Sequence, residues 1–345
     1  MLHRHAFVAG IVAGVVAPAA TRVWAAPADA PVSSEKLTIR MGYQPLTPTW
    51  GISIIYQANL WKKYLPNVEV ERVKFLSGMP LVNTLVAGKL DMGYQGDMPI
   101  IVLASKGNLQ PTQFISVTDA DHGATSEVYV AKNSPIDNVK GLNGKSVSVP
   151  FGGYTHRFAE VLEADEGIKF NLVGQSPEVG LTNLQAGKVD AYIPWPPYGE
   201  MAVQKGFARK IADGTKYHFD SLRGVVVTTA FADAHPDIVT GWLRAELDAH
   251  RILRERPDYA SKLIFQDWQD YGVPYSVIRE EFVPSRVFPD QITPEWRKVL
   301  TGGATFLQSH GFITASIDFD KYINDSYLKK AAAIPSQLNL SAIPK

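Results

Sequence analysis

The chain has no cysteine. That excludes disulfides, lipid-modified cysteine, thiolate nucleophiles and cysteine-based metal sites. It has no surplus of charge either: 34 Lys and Arg face 34 Asp and Glu, which gives no electrostatic footprint for nucleic acid. A Walker loop and a Gly-x-Ser-x-Gly elbow are both missing, so the commonest signatures of phosphoryl and acyl transfer are not there. Beyond the first 25 residues no apolar run is long enough to span a bilayer.

One apolar run does stand at the start. Arg4 precedes a stretch from Ala6 to Ala20, and small residues surround Val23-Trp24-Ala25-Ala26. The pattern reads as a secretory signal over 1–25, removable rather than anchoring because Pro18 interrupts it. Residues 26–36 then form a disordered lead-in. Loss of Arg4 and Arg22 with the leader would leave the protein slightly acidic. The expectation is an exported, periplasmic protein of roughly 320 residues, long enough for two domains.

The most informative feature is a near repeat. Leu85-Val86-Ala87-Gly88-Lys89-Leu90-Asp91 returns as Leu184-Gln185-Ala186-Gly187-Lys188-Val189-Asp190. Each copy reads as a helix end, a Gly cap and a short strand. The loops that follow differ: Tyr94-Gln95-Gly96-Asp97-Met98-Pro99 in one and Ile193-Pro194-Trp195-Pro196-Pro197-Tyr198 in the other. Two similar α/β lobes with unlike loops follow, and a solute held between them would touch both. Asp91 and Asp190, at matching places, read as strand-start residues rather than a catalytic dyad.

Strands alternate with helices along the chain, which predicts mostly parallel sheets with ligand loops at the strand carboxyl ends. Lobe one is expected over 37–127 and 230–345, lobe two over 128–229. The two are joined by two hinge crossings, near Ser126–Ala131 and Gly224–Thr229. Helices are expected over about 50–64, 79–87, 155–164, 236–253 and 294–309.

The candidate ligand-binding residues are Tyr43, Gln44, Trp50, Gly96, Asp97, Gly153, Tyr154, Thr155, His156 and Trp195. The turn Gly152-Gly153-Tyr154-Thr155-His156 opens a helix, so its free N–H groups and the positive end of the helix dipole suit an anion. The aromatics offer flat apolar surface with polar edges. The plainer readings stand beside these: Gly-Gly-x-Thr as a cap, Asp97 as a capping carboxylate, and Trp195 as a packed corner among prolines. His156 alone reads as a first-turn residue rather than a metal ligand, no other His or carboxylate shows metal-ligand spacing, and no metal, cofactor or catalytic residue is expected.

These residues resemble a known family: periplasmic solute-binding proteins of ABC importers for aliphatic sulfonates, taurine and nitrate, related to the pyrimidine-precursor synthase and to riboflavin-precursor binders. The resemblance runs through nearly all of the exported chain. It rests most on Ala87-Gly88-Lys89-Leu90-Asp91-Met92-Gly93 leading to Gly96-Asp97-Met98-Pro99, on Gly153-Tyr154-Thr155-His156, and on Gly187-Lys188-Val189-Asp190-Ala191 leading to Trp195-Pro196-Pro197-Tyr198. It implies a two-lobed α/β periplasmic binding protein fold and a monomer. That monomer would capture a small organic anion and hand it to a membrane permease with ATPase subunits. Many sulfonate-type members carry an acid where this chain has Pro196, which argues for an anion with an apolar or aromatic tail over a taurine-like zwitterion. The synthase relatives depend on a cysteine-rich segment that this chain lacks. The alternatives are an exported enzyme acting on a small acid through His156 and Asp97, a pyrimidine or flavin-precursor binder, and a sensor whose closed form docks on a receptor.

Overall fold

A computed structural model describes residues 30–45, 50–282 and 286–344. The expected signal at 1–25, part of the lead-in and the loop 46–49 lie outside the described residues. Ten strands are described: β1 (Leu37–Tyr43), β2 (Val68–Lys74), β3 (Met92–Gly96), β4 (Thr112–Asp121), β5 (Glu127–Ala131), β6 (Ser146–Val149), β7 (Asn171–Gly174), β8 (Ala191–Tyr192), β9 (Ala208–Asp213) and β10 (Ser221–Thr228). The helices that flank the early strands are α1 (Trp50–Gln57), α2 (Gly78–Val86), α3 (Asp97–Ser105), α4 (Tyr154–Glu166), α5 (Pro177–Gln185) and α6 (Tyr198–Gln204). A helical C-terminal part adds α7 (Thr229–Ala234), α8 (Pro236–Glu255), α9 (Pro257–Trp268), α10 (Pro294–Ser309), α11 (Phe319–Tyr322) and α12 (Ser326–Ala333).

The strands form two sheets of the same design, β2-β1-β3-β10-β4 and β7-β6-β8-β5-β9. The first three strands of each order are parallel. The fourth is antiparallel to both of its neighbours. Each sheet is therefore mixed but mostly parallel, as expected from sequence, with four strands running one way and β10 or β5 against them. The two reversed strands, β5 and β10, are the ones that arrive from the opposite sheet.

The near repeat accounts for the matching halves. Gly88 and Gly187 both take φ +67° just past the ends of α2 and α5. Asp91 then accepts the N–H of Arg40 on β1 at 2.7 Å, and Asp190 accepts that of Ser146 on β6 at 2.9 Å. In both lobes this aspartate bonds the neighbouring strand where parallel pairing begins, so the repeated acid is structural.

The chain passes between sheets twice, after β4 and after β9. At these passages Gly123 and Gly214 touch backbone to backbone, with the Gly214 N–H bonded to the Gly123 carbonyl at 2.9 Å. Gly123 has φ +86°, and a Cβ there would stand 2.2 Å from the Gly214 carbonyl carbon. The return passage lies before β10, which pairs wholly within the first sheet; the lobe-two boundary expected at 229 therefore falls at the far end of this strand.

Burial follows the apolar periodicity. The first lobe's core gathers Ile39, Met41, Trp50, Tyr94, Phe114 and the buried face of α8, including Trp242. Helix α8 also buries Glu246, which accepts from the Tyr94 hydroxyl at 2.6 Å. Two smaller clusters, one around Phe158 and one around Tyr192, cover the second sheet.

Candidate functional site

The carboxyl ends of β1, β3, β6 and β8 lead into one cavity of about 220 Å³ between the sheets. The first lobe lines it with Gln44, Ser77, Gly78, Met79, Gly96, Asp97, Met98, Pro99 and Val102, and with Leu222 and Arg223 from β10. The second lobe adds Pro150, Phe151, Gly152, Gly153, Tyr154 and Trp195.

Three helices begin on this cavity: α2 behind Ser77, α3 behind Gly96 and α4 behind Gly153. None of the three N-cap residues bonds its helix through a side chain. The first N–H groups of a helix have no partner within it and carry the positive end of the dipole, about half an elementary charge. An anion is what such a convergence accommodates. Close packing enforces it, because a Cβ on Gly78 would stand 2.2 Å from Pro99 Cγ. Only glycine lets the starts of α2 and α3 approach this closely.

The formal charges largely cancel. Asp97 is buried; its Oδ1 accepts the Met98 N–H at 2.8 Å. Its Oδ2 has no hydrogen-bond partner and lies 4.0 Å from Arg157 Nη2. Burial pushes the Asp97 carboxyl above its usual range, and Arg157 and Arg223 only partly offset that. Burial pulls Arg157 down, and its Nη2 also donates to the Asp220 carbonyl at 2.9 Å. Arg223 donates to Asp119 at 2.8 Å and to Asp121 at 2.9 Å, while Arg286 reaches the same Asp121 at 2.7 Å. Three acids and three arginines thus offset one another at and beneath the cavity, and the remaining positive potential comes from the helix amides. Thr155 Oγ1, fully buried, also lacks a hydrogen-bond partner.

Of the residues singled out from sequence, Gln44, Gly96, Asp97, Gly153, Tyr154 and Trp195 line the cavity. A Trp195 ring atom lies 3.9 Å from the Cβ position of Gly153, and burial pushes the Tyr154 hydroxyl well up. Thr155 lies buried directly behind that lining. The other three are elsewhere. Trp50 is fully buried in the first lobe's core, its ring beside Phe288 and 5.3 Å from the Arg286 guanidinium. The Tyr43 ring lies 4.0 Å from the Arg72 guanidinium. His156 stacks on Phe151 at 4.7 Å and accepts the Gly152 N–H at 3.3 Å, with Nε2 toward Glu160. It does not line the cavity, so the structure does not pair it there with Asp97.

Sequence reasoning expected the helix at 79–87 but did not assign its start, or Arg223, to the site. Ser77-Gly78-Met79-Pro80 has the Ser-Gly-x-Pro composition of a helix start, a signal that could have been read. Arg223 carries no local signal, because only the pairing of β10 between β3 and β4 brings it to the cavity.

Comparison with known proteins places this geometry. The model of the NMT1-like family matches residues 33–264. A Bacillus subtilis (strain 168) protein, provisionally named an aliphatic sulfonates-binding protein, is 26% identical over 270 residues, covering 76% of this chain and 79% of that one. The taurine-binding periplasmic protein of Escherichia coli K12 is 25% identical over 271 residues, covering 74% and 82%. Among solved structures, the periplasmic aliphatic sulphonate binding protein SsuA of Escherichia coli superposes with a TM-score of 0.73 at 22% identity, covering 84% of this chain and 92% of that one. Its fold is the two-lobed one described here. The chain belongs to the NMT1-like family.

Proposed function

We propose that this protein is the periplasmic substrate-binding component of an ABC importer. It captures a small organic anion with a sulfonate-like head between its two sheets and delivers it to a permease served by ATPase subunits. The observation that carries this reading is the convergence of three helix N-termini, from both lobes, on one cavity walled by Trp195, Tyr154 and Phe151. The head sits against the amides at the starts of α2 and α4 and against the Asp97 amide of α3, whose Met98 N–H is already taken by Asp97 Oδ1, and the tail lies along the aromatic wall. Thr155 Oγ1 and the amides of Tyr154 and Thr155 supply donors on the second-lobe side.

Size favours a compact ligand. A cavity of about 150 Å³ is known to hold benzene, so about 220 Å³ suits a short alkyl chain or one ring with its head group. Recognition by neutral amides rather than by an unpaired cation favours a monoanion bound reversibly, with Kd near micromolar. The named relatives that bind sulfonates or taurine support the same class of ligand. Binding rather than turnover is supported by the placement of His156 outside the cavity lining, which leaves Asp97 without the imidazole that the enzyme reading pairs it with.

The test is a thermal-shift panel of alkyl and aryl sulfonates, nitrate, carboxylates and pyrimidine derivatives, followed by mass spectrometry of the recovered ligand. A sulfonate is expected to raise the melting temperature by linkage and to return intact. A panel in which no anion shifts the melt, or in which the ligand returns chemically changed, refutes the reading.

A further inference from the structure

We propose that His156, Glu160 and His310 form a divalent transition-metal site, suited to Zn²⁺, that ties helix α4 of the second lobe to the end of α10. His156 and Glu160 stand one turn apart on α4, and His310 caps the C-terminus of α10. One ligand-capable atom from each lies within 4.8 Å of the other two. Glu160 Oε1 is 2.6 Å from His310 Nε2 and 3.9 Å from His156 Nε2. These values straddle the edge of about 3.3 Å expected of a tetrahedron with metal–ligand bonds of about 2.0–2.1 Å. A modest swing of the Glu160 carboxylate, which is partly exposed, equalises them.

The surroundings are those of a metal ligand set. His310 Nδ1 lies 2.9 Å from the Phe306 carbonyl, a bond it makes as donor, which turns the lone pair of Nε2 toward Glu160. A second hydrogen bond of this kind characteristically orients metal-bound histidine. His156 is 8% exposed at its side chain and is enclosed by Phe151, Phe306 and Phe312. Its Nδ1 accepts a long bond from Gly152; ligation through Nε2 moves the ring proton to Nδ1, so the Gly152 N–H and the new Nδ1–H must part. Two imidazoles and one carboxylate select Zn²⁺ and its neighbours over Mg²⁺ or Ca²⁺, and three protein ligands leave a position for water. The plainer reading is a Glu160–His310 ion pair with His156 brought beside Glu160 by their i,i+4 spacing on α4, and the titration below separates the two. A second cluster, His122, Asp220 and Glu295, has one imidazole and a more open setting, and serves as the control. The site stands on its own geometry and is independent of which solute the cavity takes.

The test titrates Zn²⁺ into chelator-treated protein against a chromogenic competitor at neutral pH. One equivalent is expected to bind with Kd micromolar or tighter. His310→Ala and Glu160→Gln should each weaken it by at least about 100-fold, and His122→Ala should leave it unchanged. Co²⁺ should give the intense visible bands of a four-coordinate ion in the wild type and not in His310→Ala, with circular dichroism showing that each variant is folded. The proposal is overturned if the wild type takes up no Zn²⁺ at about 100 µM free metal. It is equally overturned if His310→Ala binds like the wild type, or if His122→Ala abolishes binding.

Discussion

Replacing Gly123 by alanine probes the junction on which the two lobes meet. The residue holds φ +86°, and its new Cβ would stand 2.2 Å from the carbonyl carbon of Gly214, 2.5 Å from its oxygen and 2.7 Å from the nitrogen of Thr215. All three are backbone atoms, so no flexible side chain can move aside. An L-residue in left-handed backbone costs about 1–2 kcal/mol, and forcing the second crossing away adds about 1–3 kcal/mol, as overpacking does elsewhere. The total of about 2–5 kcal/mol corresponds to a fall in Tm of roughly 3–8 °C for a chain of this size. Gly88→Ala is the control: it has φ +67° but nothing within 4 Å of the new Cβ, so it should lose only the conformational part. Both substitutions reduce unfolded-chain entropy alike, and the difference between them isolates the clash. The assay is urea unfolding of both variants beside the wild type, read as the midpoint with the slope checked for constancy. Equal midpoints for Gly123→Ala and Gly88→Ala would show that the crossings are not in tight contact and would refute the reasoning.

Trp195→Ala should weaken the solute found in the thermal-shift panel by roughly 30- to 160-fold, from about 2–3 kcal/mol of lost aromatic cover; an unchanged Kd by calorimetry would place Trp195 in packing alone. Arg223→Met leaves Asp119 and Asp121 buried with Arg286 as their remaining arginine, and should cost about 3–5 kcal/mol in urea unfolding; a loss under 1 kcal/mol would contradict the network. Asp190 gives a pH test. Burial pushes its carboxyl up, but the bonds from Ser146 outweigh this and hold it below the usual range. A depressed folded pKa contributes stability above the unfolded value that is lost as pH falls through the folded one. The gap in urea midpoint between wild type and Asp190→Asn should therefore be open at neutral pH and narrow toward zero in acid; a gap that widens in acid would reverse the sign and refute the assignment.

Much of the fold is legible in the chain because its signals are local. Gly88 and Gly187 end helices, Pro177 opens one, and the aspartates of the repeat bond the next strand in both lobes. The start of α4 at Gly153 and of α3 at Gly96 are legible for the same reason, and with them two of the three helix starts on the cavity. Trp50 misleads: it borders the loop after β1, but the helix it opens buries it completely. His156 lies in the first turn of α4, but its ring packs on Phe151 rather than facing the cavity.

What the sequence determined by itself is the duplicated α/β plan, because caps, periodicity and the repeated Gly-Lys-x-Asp unit act over a few residues each. Only the tertiary structure decided that β10 crosses back to lie between β3 and β4, bringing Arg223 to the cavity. It also decided that His310, from the far end of the chain, meets His156 and Glu160. Both depend on contacts between residues distant along the chain, and the free energy that selects such contacts comes from burial and pairing across the whole fold rather than from any local pattern.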